Sequence, residues 1–238
     1  IILSTKEKIN FLLHISSSNS EISGAMDLRR PFATKIAIST RNGSLEEISR
    51  LLPMPIRDGF SGTVSGRAQV TFLPLQLEES LSISYEMSEL LMTSGNRNLR
   101  NVNPLRLAYR SGALVMEDVS FMMDQVEVHA SGELTSEARP GKEIIITAKG
   151  TGDFLSIFLP DLLFEGDLDA RIVIKGSMAA PVFSGSIQVE QGRLLTSSRA
   201  LPLTNLQLQL DMKDNVLILH SLRFNIQDGE VSGHGTLP

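Results

Sequence analysis

Leu206-Gln207-Leu208-Gln209-Leu210-Asp211-Met212-Lys213 alternates apolar with polar at every step. A period of two fits a β-strand with one packed face and one wet face, because successive side chains of a strand point to opposite sides. The same alternation recurs upstream. Leu168, Ala170, Ile172 and Ile174 alternate with Asp169, Arg171, Val173 and Lys175, and Val126, Val128 and Ala130 alternate with Glu127, His129 and Ser131. Strand-like runs return about every 8–12 residues, separated by Gly, Asn, Asp and Ser, which predicts an all-β antiparallel meander.

Two segments depart from this pattern. Ser44-Leu45-Glu46-Glu47-Ile48-Ser49-Arg50-Leu51-Leu52 opens with Ser44 and has Glu47 three residues on, the spacing of a capping box, and Pro53 stops it. Asp153-Phe154-Leu155-Ser156-Ile157-Phe158-Leu159 has Asp153 at the N-cap and Pro160 at its end. Both predict short helices of about two turns.

The chain has 238 residues, 42% of them hydrophobic and 21% charged, with a net charge of −5. Such a composition repays the entropy of ordering, so disorder is excluded. The negative balance leaves no basic patch to neutralise phosphates, so nucleic acid is not an expected partner. Cysteine is absent, which removes disulfides, thiolate zinc sites and cysteine nucleophiles. His14, His129, His220 and His234 are scattered and do not form a His-rich metal centre. The start, Ile1-Ile2-Leu3-Ser4-Thr5-Lys6-Glu7-Lys8, lacks the charged-then-apolar order of a signal peptide. No apolar run approaches the roughly 18–20 residues of a membrane span. The expected reading is an internal piece of a longer protein.

The halves of the chain match one another. Leu105, Leu107, Leu114, Val119, Phe121, Val128, Gly132 and Leu134 reappear as Leu208, Leu210, Leu217, Leu222, Phe224, Val231, Gly235 and Leu237, each pair 103 residues apart. Upstream the offset drifts to 107, where Leu52-Pro53 meets Leu159-Pro160. A partial copy at the start aligns Ser23-Gly24 and Ile36-Ala37-Ile38 with Ser131-Gly132 and Ile144-Ile145-Ile146, at offset 108. The expected organisation is the tail of one repeat over 1–40, a second repeat over 41–137 and a third over 138–238. Each full unit is a short helix followed by a run of strands, and such units are expected to stack end to end by strand pairing. The first and last strands then carry open edges.

Chemical motifs are weak. Gly150-Thr151-Gly152 follows a strand and precedes a helix, but Leu155 stands where a dinucleotide fingerprint needs a third glycine. Asp167 and Asp169 share the polar face of one strand, and Glu78-Glu79 and Glu117-Asp118 are adjacent pairs, all read as solvated or turn residues. No Gly-x-Ser-x-Gly elbow occurs, whereas Ser-Gly pairs are common, for instance Ser61-Gly62 and Ser184-Gly185, and glycine there allows a sheet to bend. His129 falls on a polar register. His220 shares its register with Val216, Ile218, Leu222 and Phe224 and reads as a satisfied core histidine. Asn42-Gly43-Ser44 has the form of a glycosylation sequon and reads as a turn before a helix cap. With no convergent polar cluster, an enzyme is not expected, and neither a catalytic residue, a metal nor a cofactor is assigned.

Several phrases carry a family resemblance. Gly132-Glu133-Leu134 and Gly233-His234-Gly235-Thr236-Leu237 close units, and Ser184-Gly185-Ser186-Ile187-Gln188-Val189-Glu190-Gln191-Gly192-Arg193-Leu194 opens one, followed by Leu201-Pro202-Leu203-Thr204-Asn205-Leu206-Gln207-Leu208-Gln209-Leu210. In this order they resemble the AsmA/TamB superfamily of bacterial envelope proteins, most closely TamB-like translocation and assembly modules, over essentially the whole chain. The resemblance implies a periplasmic protein anchored in the inner membrane by an N-terminal helix. It implies a curled, taco-like sheet with an apolar inner face that carries phospholipid toward the outer membrane. For TamB-like members it also implies a part in outer-membrane protein assembly, with an outer-membrane barrel as partner.

The residues allow a physical version of this. An open sheet with one apolar face presents a trough that lipid can fill, whereas a closed one fills the same space with side chains. Strands of about eight residues span about 25 Å, enough to cradle an acyl chain. The groove face is expected to include Val126, Val128, Leu168, Ile172, Ile174, Ile187, Val189, Leu206, Leu208 and Leu210. The expected partners are phospholipid acyl chains and neighbouring repeats of the same chain. Two other readings stand beside this one: an assembly module whose sheet edge templates strands of client membrane proteins, and an extracellular passenger or adhesin.

Overall fold

Short links bearing Gly, Asn and Asp leave room only for antiparallel returns between strands. The computed structural model describes residues 2–4, 7–16, 18–49, 60–94, 97–152, 162–196 and 202–237. Its strands form one antiparallel meander. By contacts the chain divides into two compact units, residues 1–119 with 135–137 and residues 120–134 with 138–238.

The first unit contains β1 (Ile2–Ser4), β2 (Lys8–Ile15), β3 (Ser20–Asp27), β4 (Thr34–Ser44), β5 (Phe60–Phe72), β6 (Ser82–Ser94), β7 (Arg97–Asn101), β8 (Leu105–Arg110) and the start of β9 (Ala113–Met123). Strands β1 to β6 pair in chain order, β7 and β8 both pair with β6, and β8 pairs with β9. Directly opposed residues of an antiparallel pair lie on the same face. Phe11, Gly24, Ile36, Val70, Ile83, Tyr109 and Leu114 therefore form one file across this unit. The Phe11 ring covers Gly24 so closely that a Cβ there would sit 2.2 Å from the ring. The opposite face carries His14, Glu21, Ser39, Arg67, Glu86, Arg106 and Glu117 in a second file. Arg67 and Arg106 both reach Glu86, at 3.2 and 3.7 Å. Exposed pairs of this kind contribute only about 0–1 kcal/mol each. Their stronger effect is on register, because a slip of one residue would carry every charge to the apolar face.

The second unit takes the end of β9 and adds β10 (Val126–Thr135), β11 (Ile144–Thr151), β12 (Leu162–Gly176), β13 (Pro181–Thr196), β14 (Leu203–Lys213), β15 (Val216–Ile226) and β16 (Gly229–Leu237). From β10 onward each strand pairs with the next. The β14–β15 hairpin turns on Asp214 and Asn215, both at positive φ (51° and 69°), the geometry a tight two-residue hairpin turn requires. Strands β9 and β15 start at residues 113 and 216, and β10 and β16 at 126 and 229, the same 103-residue spacing that relates the apolar residues.

The helical expectation is partly met. Helix α1 spans Leu45–Ser49, and the Glu47 amide donates to Ser44 Oγ at 3.4 Å, so Ser44 caps it. Glu47 Oε2 is buried without a hydrogen-bond partner among the described residues. The second expected helix, 153–159, lies outside the described residues. A helix not anticipated, α2 (Leu77–Ser80), follows a 3₁₀ turn at Pro74–Gln76, and its Ser80 Oγ accepts the Leu73 amide at 2.8 Å.

Glycines inside strands mark close backbone approach. Gly185 in β13 has φ +150°, and a Cβ there would lie 2.0 Å from the Arg171 carbonyl oxygen of β12. Gly150 repeats the geometry against the Gln125 carbonyl, at φ +148° and 2.0 Å. The Gly150-Thr151-Gly152 stretch is thus explained by sheet packing. Gly185→Val is expected to destabilise the chain by at least the roughly 1–3 kcal/mol of a strained backbone position. Gly233→Val, at a site with no atom within 4 Å, is expected to stay within about 0.5 kcal/mol of the parent. Urea unfolding of both variants checks the contrast.

Candidate functional site

The apolar residues of the second unit line up strand by strand. Val126, Gly150, Leu168, Val189, Leu208, Leu222 and Gly233 are opposed in sequence from β10 to β16. A parallel file runs Val128, Ala148, Ala170, Ile187, Leu210, Leu219, Gly235, and a third runs Ala130, Ile146, Ile172, Gly185, Met212, Leu217, Leu237. Ile144, Ile174 and Phe183 extend a fourth. Leu206 lies two residues before Leu208 on β14, opposite Gly192. All ten residues expected on the groove face therefore share one face of this unit. Cross-strand apolar pairs contribute about 0.2–1 kcal/mol each, so the files do more to hold the sheet than the exposed ion pairs do.

Burial divides these ten. Val126, Leu168 and Val189 are buried and form a cluster with Phe164, which is only 2% exposed. Val128, Ile187, Leu206 and Leu208 are half-buried and pack against that cluster. Ile172, Ile174 and Leu210 are half-buried on the same face, away from it. Among the described residues the second unit has neither a helix nor a second sheet to lay over this face.

Phe164 and Leu194 belong to the packed face and escaped the sequence reading. Phe164 continues the alternation of Gly166, Leu168 and Ala170 along β12, and the register shift beside it comes from an extra residue on β13. Leu194 lies an odd number of residues from Val189, which in a regular strand puts them on opposite faces. Gln191, at φ +52°, supplies the extra residue that turns Leu194 back to the same face. Asn205, at φ +53°, marks a matching shift in β14.

The opposite face is polar. Glu127, Lys149, Asp169, Gln188 and Gln209 are opposed in one file, and His129, Thr147, Arg171, Ser186 and Asp211 in the next. Lys149 Nζ sits 3.1 Å from Asp169, and Thr151 donates a hydrogen bond to Asp167, so the two aspartates have separate partners. Here lies a shallow depression of about 320 Å³ lined by Lys149, Thr151, Asp167, Asp169, Gln188 and Glu190. His129 reaches Ser120 Oγ at 2.7 Å and Glu127 at 3.0 Å. His220 does not sit in a core. Its side chain is 44% exposed and meets Asp211 at 2.8 Å. The reason is the register shift in which Leu210 opposes Leu219 while Gln209 opposes Ser221, leaving His220 unopposed in a bulge.

No helix among the described residues is long and apolar enough to cross a membrane. No family model, curated protein or solved structure matches this chain.

The division of the apolar face predicts unequal mutational costs. Phe164→Ala is expected to cost about 3–5 kcal/mol, the range for emptying a packed aromatic site. Leu210→Ala, on the half-buried part of the face, is expected to cost less than half as much. Urea unfolding with an unchanged denaturant slope is the check.

Proposed function

We propose that the apolar face of the second unit binds the acyl chains of phospholipids. In this reading the chain is a stretch of a periplasmic track that passes lipid between the inner and outer membranes, as its resemblance to AsmA/TamB proteins suggests. The observation that supports it best is the run of aliphatic files across β10 to β16, half-buried over much of its extent, in a unit whose described residues include neither a helix nor a second sheet.

The physics favours a sliding ligand. Strands lie about 4.8 Å apart, so each file offers an apolar contact at that interval along a line crossing the strands. An acyl chain laid along the files gains about 0.8 kcal/mol per buried CH₂. It can shift from one strand to the next with similar contacts on either side, because no charge interrupts the three long files. The aromatic content is low, with 10 Phe, 2 Tyr and no Trp in the chain, which suits aliphatic chains better than ring stacking. Nothing in such transport calls for a catalytic group or a cofactor. Neighbouring repeats would continue the files, and an outer-membrane barrel would receive the track.

Native mass spectrometry with solvent extraction tests the reading. The 238-residue chain purified from a bacterial envelope is expected to carry phospholipid. Leu208→Asp, which places a charge in one of the three seven-residue files, is expected to lose at least nine-tenths of it. Gln209→Asp, one residue on and on the polar face, is expected to keep it. A folded chain free of lipid, or one that keeps its lipid with Leu208→Asp, would overturn the proposal.

A further inference from the structure

Two loops at one end of the first unit enclose a hollow that strand alternation does not predict. The stretch 28–33 joins β3 to β4, and 73–81 joins β5 to β6. Because β3, β4 and β5 pair in order, both links fall at the same end of the sheet. Between them lies a depression of about 540 Å³ with Ala25, Ala33, Phe72 and Leu73 in its wall. Small-ligand sites are commonly hollows of about 300–1,000 Å³, apolar for the most part, with a few polar groups that fix orientation.

Hydrogen bonds hold the walls. The Asp27 amide donates to the Ala33 carbonyl at 2.9 Å and the Phe32 amide to the Arg29 carbonyl at 2.8 Å, which closes the first loop. Ser80 Oγ accepts the Leu73 amide at 2.8 Å and closes the second. A hollow built in advance spares a ligand the cost of ordering the loops around it. Leu28 follows the lining residue Asp27, and Leu75 and Leu77 lie between the lining residues Leu73 and Ser80; all three leucines are exposed.

The charges around the hollow are uneven. Asp27 is engaged: it accepts the Arg29 amide at 2.9 Å, lies 3.6 Å from the Arg29 guanidinium, and has Lys8 directly opposite. The bond from the Arg29 amide, more than any other cause, holds the Asp27 carboxyl below its usual range, so it stays ionised on its own partners. Glu7 pairs with Arg29 at 3.5 Å. Lys35 also lines the hollow, opposite Ala25 on one side and Thr71 on the other. It has no ion-pair partner among the described residues. In a chain of net charge −5, the hollow therefore sets an unmatched cation beside an apolar wall.

We infer that this depression binds a single anionic amphiphile, with its head group on Lys35 and its alkyl part against Ala25, Ala33, Phe72 and Leu73. A lysine ammonium is a point charge, so it serves carboxylate and phosphate heads alike. The Thr71 hydroxyl on the neighbouring strand supplies a hydrogen bond to the same head group. A bilayer surface fits less well, because the exposed Glu79 lies two residues from Leu77 and would face anionic lipid. The site belongs to the first unit and does not rest on lipid binding by the second.

The probe is decanoate, kept below its micelle concentration and added to the full 238-residue chain labelled with nitrogen-15. The expected result is saturable amide shifts over residues 25–35 and 71–80. Acetate, which lacks the tail, and decanol, which lacks the charge, are each expected to bind at least tenfold more weakly. Lys35→Glu is expected to weaken decanoate binding at least tenfold with the urea midpoint unchanged. Arg41→Glu, which reverses another exposed cation of β4 outside the hollow, is expected to bind as the parent does. The inference is overturned if those amides do not shift, if acetate or decanol binds as well as decanoate, or if Lys35→Glu binds as the parent does. It is equally overturned if Arg41→Glu loses as much as Lys35→Glu, or if only vesicles of phosphatidylglycerol shift these residues, which would make the occupant a bilayer surface.

Discussion

Antiparallel pairing places directly opposed residues on the same face, so a sheet of alternating strands works only if every hairpin keeps apolar opposite apolar. In this chain that condition is met from strand to strand across seven successive strands of the second unit. A slip of one residue in any one pair would put aliphatic side chains against Lys149, Asp169 and their neighbours. Register is therefore the constraint on which the core cluster, the polar face and the candidate ligand surface all depend.

Bulges are how the chain maintains that condition along strands of up to 16 residues. A strand that twists and coils over such a length drifts out of register with its neighbour. An extra residue at Gln191 or Asn205, each near φ +50°, resets the pairing and returns the next leucine to the packed face. The glycines at 150 and 185 serve the complementary need of letting a neighbouring carbonyl come within a distance no side chain tolerates. What stabilises the second unit is then a small, dense cluster around Val126 and Phe164, flanked by aliphatic rows that remain half-open. That combination of a firm anchor and an accessible apolar flank suits a surface that must hold its own shape while a ligand passes.

The sequence made much of this legible, for identifiable reasons. Alternation in Val126–Ser131, Leu168–Lys175 and Leu206–Lys213 fixed both the strands and the face, since parity survives wherever no residue is inserted. The ten groove residues lie within such uninterrupted stretches, apart from Ile187 and Val189, which end just before the bulge. Parity fails at insertions. His220 shares an apolar register in the sequence because the extra residue in β15 leaves no compositional trace. Leu194 is hidden by the same kind of insertion, and glutamine at 191 gives no hint of the left-handed conformation that asparagine at 205 suggests. Helix α2 was illegible because its closure depends on Ser80 reaching back to Leu73, a contact that propensity does not encode. The capping serine at 44 was readable, while the fate of Glu47 depends on burial rather than on spacing.

Absence of cysteine from the chain allows the central claim to be tested by single-site labels. Fluorescent labels on cysteines introduced one at a time at residues 206 to 211, in the presence of phospholipid bearing a nitroxide quencher in its acyl chain, report which positions touch lipid. The account predicts a period of two: labels at 206, 208 and 210 contact the acyl quencher, and labels at 207, 209 and 211 contact only a water-soluble one. Equal quenching on both parities, or none at 206, 208 and 210, would contradict it.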